Sequence, residues 1–207
     1  MATLPSRRYS RLCKRLANLE RIFLPAIDLL GNYTADQYDH VRAYIVLCHA
    51  EIESYIEYMC LDLLEKAEER WKSKGKSSLC MAALMLYNER KVVAPKSLSK
   101  QVSADLFDAV VKKAFKLHRE YLQRDNHGIK EANLMKMLLP LGFQEAEFDN
   151  VWLADMNSFG VMRGLVAHQS AQVVQNPPDP ALAKQRVESV LAGVAKIESV
   201  FVRLRRN

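Results

Sequence analysis

The sequence predicts an all-α fold, a helical bundle with two long helices and several short ones, and three observations carry that expectation. Apolar residues recur at three- and four-residue steps through two long stretches, the spacing at which side chains share one helix face. Seven glycines and seven prolines in 207 residues are too few for a turn-rich β protein or a disordered chain. No segment alternates apolar and polar residues convincingly enough for a strand. With 49% apolar residues a core can form without disulfide or metal staples. The length fits one domain. Within it, residues 1–33 form a basic N-terminal helix packing on the bundle, and residues 34–207 form the core.

The first helix is expected from about Ser6 to Leu30, with a kink or break at Pro25 and a stop at Gly31-Asn32. Thr34-Ala-Asp-Gln37 has the form of a capping box, in which Thr34 caps and Gln37 reaches back. Behind it Val41, Tyr44, Ile45, Cys48, Ile52, Tyr55, Ile56, Met59 and Leu63 mark one face of a long helix reaching about Trp71. Lys72 to Ser78 reads as a solvated loop, Leu79 to Glu89 as a short helix, and Lys91 to Lys100, with Pro95, as a loop. Helix is expected again from Ser103 to Arg124, broken by Asp125-Asn-His-Gly128, and from Lys130 to Leu139, ended by Pro140 and Gly142. Glu145 to Ala167 is helical with an interruption expected near Gly160. Asn176-Pro-Pro-Asp-Pro180 is a rigid connector in which Asp179 caps and Pro180 opens the last helix, running to about Arg205.

Composition narrows the function classes. No 18-residue apolar run is long enough to span a membrane, and no secretory signal is visible at the N-terminus. Cys13, Cys48, Cys60 and Cys80 lie far apart with no C-x-x-C pair, which points to a reduced, cytoplasmic setting. The net charge of +6 suits a polyanionic partner. It concentrates at Arg7, Arg8, Arg11, Lys14 and Arg15 and at Arg203, Arg205 and Arg206, where solvated helix faces are the plainer explanation. Phosphate-binding, nucleophile-elbow, zinc-protease and zinc-finger patterns are all absent, so no cofactor and no metal are expected. His49 and Glu53 share a helix face, but a catalytic zinc needs a third protein ligand. His118 reads as a helix-surface residue and His127 as a loop residue.

What remains is Arg163-Gly-Leu-Val-Ala-His168, an R-x4-H spacing late in the bundle. Arg grips phosphate with a permanent charge, and His moves protons near neutral pH. Five residues on an ideal helix separate the two side chains by about 140°, so they share no face unless the helix ends or distorts between them. Opposite lies the long helix with Glu51 and Glu53 inside an apolar run. Glu53 is read as an accessory group for Arg163 or His168, or as a polar residue at the edge of the stripe. Arg42 binds a phosphate or pairs with a neighbouring acid on the same helix. Tyr44 and Tyr55 are core.

Arg42 to Glu57 resembles the early helix of bacterial HEPN (higher eukaryote and prokaryote nucleotide-binding) proteins, and Arg163 to His168 matches their R-x4-H motif. Asp125-Asn126 and Asn133 to Phe143 resemble the middle of the RiboL-PSP/MAE-like branch, so the resemblance covers about residues 35–205. It implies a HEPN-like bundle and a metal-independent endoribonuclease, a toxin or defence effector. That enzyme dimerises so that two motifs face each other, and it cleaves RNA by 2′-OH attack. Catalytic roles then fall to Arg163, His168 and Glu53, and substrate binding to Arg42. The implied partners are RNA, a second copy of the chain, and an antitoxin or co-encoded regulatory protein. Gly164 stands where the family usually has a polar residue, often Asn. The alternative is therefore a catalytically inactive HEPN module that binds RNA, nucleotide or a partner protein. A plain helical scaffold, with an accidental R-x4-H spacing, is the third reading.

Overall fold

The computed structural model describes residues 6–87, 104–168 and 177–206. It contains helices α1 (Arg7–Phe23), α2 (Ala35–Lys74), α3 (Leu79–Tyr87), α4 (Ala104–Glu120), α5 (Glu131–Leu138), α6 (Asn150–His168) and α7 (Pro180–Arg206), with short 3₁₀ and π turns between them. Among the described residues there is no strand, and the all-α expectation holds. The stretches expected as loop at Lys91 to Lys100 and as connector at Asn176 lie outside the described residues.

Local chemistry sets most of the ends. Leu24 donates its backbone N–H to the Glu20 carbonyl at 2.9 Å and is itself extended. Proline at position 25 disfavours helical geometry in the residue before it, so α1 stops there rather than kinking on to Leu30. The capping box forms as expected. The Thr34 N–H donates to Gln37 Oε1 at 2.8 Å, and the Gln37 N–H donates to Thr34 Oγ1 at 3.3 Å. Asp149 Oδ1 accepts from the N–H of Val151 and of Trp152 at the start of α6. Asp179 Oδ1 accepts from the N–H of Leu182 at the start of α7.

One compact unit comprises Met1–Ile56, Gly128–Ala132 and Ala146–Ser199. Its core is made of Leu12, Leu16 and Leu19 from α1, Val41, Tyr44, Ile45, Cys48, Ile52 and Ile56 from α2, Trp152, Met156 and Phe159 from α6, and Val187, Val190 and Val194 from α7. Each such side chain contributes about 1.5–3 kcal/mol through lost apolar exposure, so the stripes hold the unit together. Surface pairs such as Arg15–Glu51, at 2.8 Å and more than a third exposed on both sides, contribute at most about 1 kcal/mol.

Polar contacts show how these helices are arranged. The α1 residue Tyr9 packs edge-on against Tyr55 of α2 and donates its hydroxyl to the Leu191 carbonyl of α7 at 3.2 Å. On α6, Phe159 packs on the His49 ring of α2, while Trp152 Nε1–H donates to the Val190 carbonyl of α7 at 2.9 Å. Helices α1 and α6 therefore flank the α2–α7 pair. The buried Glu198 of α7 ties the α1 side together, accepting from the Ser6 N–H at 3.3 Å and from the Tyr55 hydroxyl at 3.2 Å. Helix α6 runs unbroken through Gly160, against expectation. A Cβ there would stand 2.7 Å from Lys130 Cγ, so the missing side chain makes room for the lysine stem.

The second unit comprises Glu57–His127, Asn133–Glu145 and Val200–Asn207. Met59, Cys60, Leu63 and Leu64 of α2, Cys80 and Leu84 of α3, Val111 and Phe115 of α4, Met137 and Leu138 of α5 and Phe201 of α7 fill its core. Helix α4 ends in a π turn at Tyr121–Asp125, where the Asn126 N–H reaches the Tyr121 carbonyl at 3.0 Å. His118, expected on the surface, is 7% exposed. Its Nε2 lies 3.1 Å from the Met137 carbonyl and its ring stacks on Tyr121. The correction has a simple cause, since α5 covers the face of α4 that an isolated helix would leave in water.

Two expectations follow. A Cβ at Gly193 would occupy the Trp152 indole, so Gly193→Ala should lower unfolding free energy by roughly 1–3 kcal/mol in urea titration. An unchanged midpoint would mean that α6 and α7 do not meet there. Burial depresses the His118 pKa to about 4, from an ordinary value near 6.5. The unfolded chain then binds more protons than the folded one between those values, and stability falls as pH drops through that window. The loss is on the order of 3 kcal/mol. In His118→Leu that part of the pH dependence should vanish; an unchanged difference between pH 7 and pH 4.5 would contradict it.

Candidate functional site

Arg163 and His168 occupy the last part of α6, which is regular from Asn150 to His168. With no distortion between them, the two side chains diverge by about 140°. Arg163 lies one helical turn beyond Phe159 and so falls on the face turned towards α2; it is half-buried. His168 is exposed and closes the helix. It shares a stripe with Val161 and Leu165, seven and three residues earlier, which are 49% and 51% exposed. The motif is thus split, its arginine half-buried on the α2 side and its histidine exposed.

On the α2 side, within electrostatic reach of Arg163, a polar pair interrupts an otherwise apolar wall. His49 and Glu53 are one turn apart on α2, with Nδ1 3.5 Å from Glu53 Oε2. His49 is 3% exposed, and no hydrogen bond of ordinary geometry reaches its Nδ1. The contact is therefore an electrostatic one, slightly too open for a formed hydrogen bond. The His49 ring beside it holds the Glu53 carboxyl below the usual carboxylate range against the opposing effect of burial, and the Arg163 charge and the Gly128 backbone N–H act in the same direction. Glu51, the other acid of this run, faces away and pairs with Arg15 of α1.

Arg42 sits at the α2 end nearest His168. Its Nη2–H donates to the Val166 carbonyl of α6 at 2.9 Å, and its Nε lies 3.6 Å from Asp39 Oδ1. It therefore ties α2 to the last turns of α6, and the acid-pair alternative is realised in part. Beside it opens a groove of about 650 Å³, whose walls include Val161, Leu165, Val166, Pro178 and Leu182 as well as Arg42. The face is mostly apolar, and Leu182 is 63% exposed. Gly164 lies between the two motif side chains, and a Cβ added there would meet nothing within 4 Å.

The structure thus brings Glu53 and Arg163 within electrostatic reach, places Arg42 against the backbone of the motif helix, and leaves His168 apart from all three. From the sequence, His49 stands out only as a potential metal ligand. The signal that could have found it was the same four-residue spacing, read as a hydrogen-bonding pair in an apolar stripe. Among the described residues no group of three His, Cys, Asp or Glu side chains comes together as a metal site.

Comparison with curated proteins and with solved structures finds no match. The profile of the RiboL-PSP-HEPN family, in contrast, matches residues 9–202, from the first turn of α1 nearly to the end of α7. The chain belongs to the RiboL-PSP-HEPN family, within the HEPN superfamily.

Proposed function

We propose that the chain is a metal-independent endoribonuclease whose working site is shared between two copies. The observation that supports this most is the split motif on a straight helix: Arg163 is half-buried on the α2 side, and His168 stands exposed at the helix end. In-line transfer at a phosphodiester needs a base for the attacking 2′-OH and an acid for the leaving 5′-oxygen. One chain offers one motif histidine, and a two-fold axis near His168 would supply the second. One His168 then takes the 2′-OH proton as O2′ bonds to phosphorus. The other gives a proton to the 5′-oxygen as the P–O5′ bond breaks, leaving a 2′,3′-cyclic phosphate and a 5′-OH. Arg163 stabilises the added charge on the phosphorane, with Glu53 holding the guanidinium in place.

The exposed stripe of Val161 and Leu165, continued by Leu182 beside the groove, is the apolar surface expected where two α6 helices pair. Arg42, anchored to the Val166 carbonyl, sits beside that groove where an RNA phosphate could reach it. Four thiols without disulfides, and no described helix long and apolar enough to cross a membrane, suit a cytoplasmic setting. A toxin or defence role, restrained by a co-encoded partner, is the corresponding biological reading.

A second reading, a silent module that binds RNA, nucleotide or a protein, rests on Gly164 in the place of a polar residue. The two separate in one assay: purified protein with RNA in excess EDTA, and analysis of the fragment ends. Fragments with cyclic-phosphate ends are expected. Arg163→Ala and His168→Ala should each lower cleavage at least about 100-fold, with the dimer mass unchanged by ultracentrifugation. A His168→Ala protein with full activity would remove the mechanism. RNA binding without cleavage would favour the silent module. Because the space around Gly164 is open, Gly164→Asn should then fold normally and gain activity.

A further inference from the structure

The buried His49 has no role in the mechanism just described, and its surroundings argue against a purely structural one. It lies in the apolar wall between α2 and α6, 3% exposed, with its ring centroid 5.3 Å from that of Phe159. A buried ring nitrogen that lacks a partner costs about 1–3 kcal/mol, so a position that needed only volume would favour an apolar side chain. The group facing Nδ1 is the Glu53 carboxylate at 3.5 Å. A bare Nδ1 lone pair aimed at a carboxylate would be repelled, so the proton belongs on Nδ1.

Glu53 is in turn the group that links α2 to the motif. Its carboxylate lies within electrostatic reach of the Gly128 backbone N–H and of the Arg163 charge. Its side chain is 20% exposed, and a donor one turn back on the same helix narrows the rotamers that it samples. His49 is that donor, and it is itself clamped by Phe159 of the motif helix. Direct contact between His49 and substrate is excluded by its burial.

We infer that His49 is the positioning residue of this site: its Nδ1–H holds the Glu53 carboxylate towards α6, where that carboxylate orients the Arg163 guanidinium. The arrangement works like the outer hydrogen bond of a metal-bound or catalytic histidine, with the order reversed, since here the histidine steadies the acid. Its consequence for catalysis rests on the nuclease reading; its geometry does not.

The test has a structural and a kinetic arm. In the wild-type protein, ¹⁵N NMR at pH 7 should show His49 with Nδ1 protonated; a proton on Nε2 alone would overturn the inference. His49→Leu removes the donor, and His49→Asn keeps an N–H near the Nδ1 position. With ¹³C-labelled glutamate, the Glu53 carboxyl should titrate at a higher pH in His49→Leu and near its wild-type pH in His49→Asn. On RNA, His49→Leu should lower kcat about 10- to 100-fold with KM within about twofold, and His49→Asn should restore most of kcat. An asparagine variant as impaired as the leucine variant, or one Glu53 titration shared by all three proteins, would overturn it. If the wild-type protein does not cleave RNA, the nuclease reading falls, and the two NMR measurements alone decide the role of His49.

Discussion

The rotation of α6 about its own axis is the constraint on which the rest depends. Trp152, Met156 and Phe159 recur at three- and four-residue steps and are buried against α2 and α7. Trp152 is further locked by its hydrogen bond to the Val190 carbonyl and by the close approach that Gly193 allows. A helix so fixed has no freedom left at its other positions, because each residue follows the last by 100°. Position 163 must then face α2 and position 168 must face solvent, whatever chemistry is asked of them. Loss of any one of those apolar anchors would cost several kcal/mol and would also blur the direction of the motif arginine, although no anchor touches it.

Buried polar groups in the same unit divide into two kinds. Glu198 accepts a backbone N–H at the start of α1 and the Tyr55 hydroxyl, and the cost of its burial is offset locally. Burial and then the Glu198 charge push the Tyr55 phenol well above its usual range, so Tyr55 stays a donor at any physiological pH. That cluster holds α1 to the α2–α7 pair and is complete within itself. The His49–Glu53 pair is incomplete: the acid looks outward, towards a permanent cation on another helix, and the histidine nitrogen is left with one imperfect partner. Buried polar groups are normally satisfied, so the open pair is the one that calls for an explanation.

Much of the fold was legible in the sequence because it is written in local rules. Thr34 and Gln37, Asp179 and Pro180, and the periodic stripes of α2 and α7 each place an element by chemistry confined to a few residues. The misses came where a distant element decides. Gly160 lies in an unbroken α6 and leaves room there for the Lys130 stem, and His118 is buried because α5 lies over α4. At Pro25 the break, one of the two expected outcomes, is realised through Leu24, one residue before the proline. At the proposed site, Arg163 and His168 stand out by their spacing and Glu53 by its place in an apolar run. His49 could not be read in the same way, because periodicity alone cannot tell a core histidine from one that faces a carboxylate.

A straight helix with one arginine turned in and one histidine turned out carries an argument about assembly. If both groups were meant to act on one phosphate within a single protomer, the economical design would place them three or four residues apart, on one face. A five-residue spacing on an undistorted helix does the opposite. It suits a site in which the inward group is held by its own protomer, through α2, and the outward group is offered across an interface. Under the shared site proposed above, Arg163 would depend on packing that forms when the chain folds, whereas His168 would depend on a second copy. Folding and assembly would then control separate halves of the chemistry, and a monomer would hold a prepared arginine with no paired acid and base to complete the transfer.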